Sequence, residues 1–125
     1  MQVWASAASG AAPAPVTWSV QATISGDSLA GELELGSACA FGRVVHVAEG
    51  GVLAVGVPDA RGGAGGVAVY SVEAPAAPAL LCVLSAPNGT LRFGEALASR
   101  PHGSGALLLA VGMHGAATAA VHRIT

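Results

Sequence analysis

Two Phe-Gly pairs stand 52 residues apart in this chain (93 − 41), at Phe41-Gly42 and Phe93-Gly94. Other pieces keep nearly the same step. Leu53-Ala54-Val55-Gly56 returns as Leu109-Ala110-Val111-Gly112, and Val69-Tyr70 returns as Val121-His122. Near the start, Gln2-Val3-Trp4 matches Ala68-Val69-Tyr70. Repetition at this step leaves a chain of 125 residues little freedom. Each copy must be one supersecondary unit, and neighbouring units must bury their apolar faces on one another.

The clearest copy carries three Val-rich runs, at 41–47, 52–57 and 67–72. Ala48-Glu49-Gly50-Gly51 separates the first two, and a stretch rich in Pro, Asp and Gly separates the last two. Short apolar runs bounded by such residues predict strands joined by turns. A fourth run at 79–84 follows a Pro- and Ala-rich turn. The same pattern predicts strands at 2–5 and 16–24, and three more within 93–124. The runs at 53–57, 80–84 and 107–111 lack the alternation of a half-exposed sheet, which predicts cover on both faces. Four strands at a period near 50 are the signature of a propeller blade. The nine expected strands do not make a whole number of four-stranded blades. Rings are built of roughly four to eight four-stranded blades, so the expected object is a segment of a larger propeller.

The order Phe41-Gly42, a strand ending Val55-Gly56-Val57-Pro58, a Gly-rich turn, then Val67-Ala68-Val69-Tyr70 resembles an FG-GAP repeat. That repeat builds the β-propeller of integrin α subunits. The resemblance covers nearly the whole chain and is strongest over 41–72. It implies an all-β fold, a partial β-propeller of four-stranded antiparallel blades spanning 1–125. Outer strands of a first blade would lie at 2–24, a complete blade at 41–84 and an incomplete one at 93–124. It also implies roles for motif residues. Phe41 and Phe93 would wedge between blades, and Gly42 and Gly94 would let backbones approach closely. Gly56 and Gly112 would leave space for a facing blade. Pro58 would end its strand, and Tyr70 would mark the third strand. The second copy keeps the motif only in part, with His114 near the place of Pro58 and His122 at that of Tyr70. Kelch propellers are the nearest rival. Gly65-Gly66 followed by Tyr70 fits them in part, but the Trp expected in the following strand is missing.

The calcium-binding form of the family has an Asp-rich loop between the first two strands. Calcium takes about six to eight oxygen ligands. The corresponding loops here are 48–51, with Glu49 alone, and 100–105, with no carboxylate. No calcium and no other cofactor is therefore expected. His46, His102, His114 and His122 do not stand at ligand spacing and are read as separate packing or surface residues. Cys39 precedes the innermost strand, and Cys82 lies in an outer one. Sheets space strands about 4.7 Å apart, so both are expected to be free, buried thiols. Asn88-Gly89-Thr90 is a possible glycosylation site, although its spacing favours an ordinary Asn-Gly turn. Asp27, Glu32 and Glu34 lie in a Gly-rich connection and are expected to be solvated. Arg43, His46, Arg92 and Glu95 cluster at predicted strand starts but are too few for a catalytic mechanism.

Charged residues are 10% of the chain, the five basic ones are all Arg, and the net charge is −2. This excludes an electrostatic case for nucleic acid or an anionic membrane. No apolar run reaches the roughly 18 residues of a membrane-spanning helix. The opening segment lacks the basic and apolar regions of a signal peptide. The repeat leads us to expect an extracellular or cell-surface protein whose secretory start is missing. The function expected is a non-enzymatic interaction or adhesion-type scaffold. Its partners would be a protein ligand or the remaining blades of the same propeller. The alternatives are a structural propeller portion of a larger secreted enzyme, or a kelch-like interaction module.

Overall fold

The computed structural model describes residues 2–6, 16–26, 41–74, 76–86, 92–103, 105–113 and 118–125. Within them the chain is built almost wholly of antiparallel strands. These are β1 (Gln2–Ser6), β2 (Trp18–Thr23), β3 (Val44–Ala48), β4 (Val52–Val57), β5 (Gly66–Ser71), β6 (Ala79–Ser85), β7 (Phe93–Pro101), β8 (Leu107–Met113) and β9 (Thr118–Ile124). They pair with their sequence neighbours into three sheets. The first holds β1–β2, the central one β3–β4–β5–β6 and the third β7–β8–β9. The fold is all-β. Ala60–Gly63 forms a single helical turn, broken by left-handed backbone at Arg61 and Gly62.

Local chemistry explains the strands. Val and Leu dominate them, and branched side chains fit a pleated surface. The turn between β3 and β4 is tight because Gly50 and Gly51 both take positive φ, 80° and 71°. Hairpin turns of that hand match the twist of the strands they join. The register that follows sets Val47 against Leu53 and Ala48 against Val52.

The two inner strands of the central sheet, β4 and β5, are covered on both faces. On one face Leu53, Val55 and Val57 cluster with Ala68, Tyr70 and Ile24, which follows β2. On the other, Ala54, Val67 and Val69 cluster with Phe93, Leu109, Val111 and Met113 of the third sheet. Strand β4 is accordingly buried from Leu53 to Val57, and β5 from Gly66 to Tyr70.

Three expectations need correction. Cover on both faces does not extend to β8, where buried and half-buried residues alternate from Leu107 to Met113. Only one face of the third sheet meets another sheet among the described residues. Strand β6 is not enclosed either, and its Leu80 and Leu81 are exposed. It lies at the edge of the central sheet, paired to β5 alone. Finally, the first innermost strand begins at Val44, not Phe41, because residues 41–43 form a turn. Gly42 has φ 90°, outside the range of regular strand backbone. Gly94 has nearly the same φ, 94°, yet lies inside β7. A bulge absorbs it there, since pairing passes from Phe93↔Met113 directly to Ala96↔Gly112.

Candidate functional site

The junction of the central and third sheets holds all three described ion pairs and the His46–Ser99 contact. It is closed in the middle by the second Phe-Gly pair. The Arg92 and Phe93 amides donate to the Gly63 and Ala64 carbonyls at 2.8 and 2.9 Å. Gly65 and Phe93 also form a parallel bridge between the sheets. The Phe93 ring is fully buried in the cluster that joins both sheets. His122 meets it edge to face, with ring centroids 5.9 Å apart. Backbones touch here. A Cβ at Gly56 would run into the Gly94 carbonyl oxygen, and one at Gly94 would lie 2.6 Å from the Gly66 carbonyl oxygen. Gly112, the counterpart of Gly56 in the third sheet, is less confined. A Cβ there would first meet the Ala96 Cβ, at 3.1 Å.

One end of the junction carries charge. Arg92 Nη1 lies 2.9 Å from Asp59 Oδ1, and Arg92 Nε donates to Glu95 Oε1 at 3.3 Å. Arg43 approaches the other Asp59 oxygen at 3.5 Å. The hydrogen bond to Glu95 is the largest influence on the Arg92 guanidinium. With the nearby carboxylate charges it raises the group above the usual arginine range, against an opposing effect of desolvation. These ion pairs link the two sheets at this end as a clasp, and the second Glu95 carboxylate oxygen, Oε2, is buried without a hydrogen-bond partner. Nearby, His46 Nε2 lies 2.6 Å from Ser99 Oγ, which ties β3 to β7.

The opposite end opens into a groove of about 520 Å³. Glu49, Val52, Glu73 and Leu81 form its central-sheet wall, and Pro101, Ala106, Leu107 and Ile124 form the wall from the third sheet. Glu73 folds over the β3–β4 turn so closely that a Cβ at Gly51 would lie 2.7 Å from its Cγ.

The structure gathers Arg43, Arg92 and Glu95 into one cluster, and sets His46 apart from them on Ser99. Sequence reasoning missed Asp59 and Ser99. For Asp59 a signal was available: it follows Pro58 at the end of the glycine-bearing strand, beside the Phe-Gly segment that packs there. Ser99 carries no such mark. Phe41 is half-buried against the first cluster, and Pro58 and Tyr70 are buried. Cys82 is a free thiol, half-buried rather than buried, and desolvation pushes its pKa up. That makes it a poor nucleophile at neutral pH. His102 is exposed in its loop. Cys39, Asn88, His114, Asp27, Glu32 and Glu34 lie outside the described residues. Among the described residues no group of three or more His, Cys, Asp or Glu is placed to hold a metal ion. No described helix is long and apolar enough to cross a membrane.

No protein family, no curated protein and no solved structure matches the chain. Geometry and sequence pattern alone carry the functional reading.

Proposed function

We propose that the chain is a segment of an FG-GAP-type β-propeller and serves as a non-enzymatic scaffold for protein interaction, outside the cell or at its surface. One observation carries this reading: equivalent faces of the central and third sheets are the ones buried. Leu53, Val55 and Val57 face the cluster that includes Ile24, while Leu109, Val111 and Met113 face the central sheet. These triplets occupy matching places in the repeat. Sheets that stack through equivalent faces continue around an axis, as blades do. The Phe93-Gly94 pair supports the same reading, because the Gly94 carbonyl fills the space left by Gly56 and the Phe93 ring is buried in the cluster between the two sheets. The clasp residues neutralise one another, which suits a scaffold better than a reaction centre.

Hydrogen exchange read by mass spectrometry tests the stacking. In a blade packed on both faces, exchange requires opening the stack. Amides of β4 and β5 are expected to exchange more slowly than those of β2 and β9. Uniform exchange across the three sheets would contradict the reading.

A further inference from the structure

The two ends of the sheet junction differ in how their charges are satisfied. At the clasp, Arg43, Asp59, Arg92 and Glu95 pair with one another. At the groove, Glu49 and Glu73 are both exposed, and neither takes part in a described ion pair. Both stand on one wall. Around them Val52, Leu81, Leu107 and Ile124 supply apolar surface from both sheets. No Arg or His lines the groove among the described residues. Arg100, His102 and Arg123 are sequence neighbours of lining residues, but they are exposed outside it. Gly50, Gly103 and Gly105 also line the groove, and a Cβ at any of them would meet nothing within 4 Å.

We propose that this groove docks an extended segment of a partner protein in which cationic side chains alternate with apolar ones. The proposal rests on the scaffold reading above and names the partner's chemistry. An apolar trough lined by charge of one sign favours a ligand of opposite sign. Alternation suits the site, since an extended segment sends successive side chains to opposite sides. Its cations would meet Glu49 and Glu73, and its apolar side chains would cover Leu107 and Ile124. A volume of about 520 Å³ is within the usual range for a ligand site of roughly 300–1,000 Å³.

The test uses a fluorescein-labelled peptide, Leu-Arg-Leu-Arg-Leu, read by anisotropy and by hydrogen-exchange footprinting. The expected result is saturable binding, with protection at 48–51 and 101–107. The double substitution Glu49→Gln/Glu73→Gln should weaken binding about tenfold, and 0.5 M salt should do the same, as roughly expected for partly exposed ion pairs. Ala106→Arg should abolish it by placing a cation in the groove. The control peptide Leu-Glu-Leu-Glu-Leu should not bind. No binding, equal binding of both peptides, an unchanged affinity in the double variant or a footprint elsewhere would each overturn the proposal. Slow exchange in β4 and β5, read in the same experiment, separates the two ideas. If it persists while the peptide fails, only the groove proposal falls. If it is absent, the scaffold reading falls.

Discussion

Arg92 holds a left-handed backbone, φ 60°, directly before the buried Phe93. Such a conformation costs a residue with a Cβ about 1–2 kcal/mol. The side chain offsets part of that through Asp59 and Glu95. The two contributions can be separated. Arg92→Ala keeps the strained backbone and loses the ion pairs, whereas Arg92→Gly loses the pairs but removes the strain. Arg92→Gly should therefore be the more stable of the two by about 1 kcal/mol, read by chemical denaturation. Gly56 makes a different demand. Its own backbone is unremarkable, but the Gly94 carbonyl occupies the place of a side chain. Gly56→Ala must push two sheets apart and should cost about 2–3 kcal/mol. Gly62→Ala is the control. Gly62 has φ 67° with open space around it, so only backbone strain is added, about 1 kcal/mol. Equal costs for the two alanines would show that the sheets do not meet at Gly56.

Strands were the most legible level of the fold. Val-rich runs between Gly and Pro place β4 at the expected 52–57, and the other strands fall within a few residues of expectation. What the pattern could not convey is which strands lie between two sheets. Leu53–Val57 and Leu107–Val111 read almost alike, yet the first is buried throughout and the second alternates. The difference comes from the neighbouring sheet, not from the strand's own residues. The Phe-Gly pairs were legible as a repeat but not as local structure, because a glycine at φ near 90° lies in the turn before one strand and bulges another. The charged clasp was half legible. Its arginines stand beside the Phe-Gly pairs, whereas Asp59 reaches them only through the turn after Pro58. The groove was not legible, since its lining comes from both sheets and only their stacking brings the walls together.

At the scale of the whole molecule, the open apolar surface matters most. Trp18 is 63% exposed, Val16 57% and Val121 66%. Val121 occupies the place in the third sheet that Val69 holds in the central one, where Val69 packs in the cluster with Phe93. The third sheet thus presents a surface of the kind that another sheet covers one repeat earlier. Uncovered faces of repeat units favour association, and exposed apolar patches do the same. Size-exclusion chromatography with light scattering on residues 1–125 tests this central claim most directly. Species heavier than the 12.0 kDa monomer, increasing with concentration, are the expected result. A sharp 12.0 kDa peak that persists at micromolar to millimolar concentration would contradict it, and would mean that the two copies of the repeat complete each other's faces within one small fold.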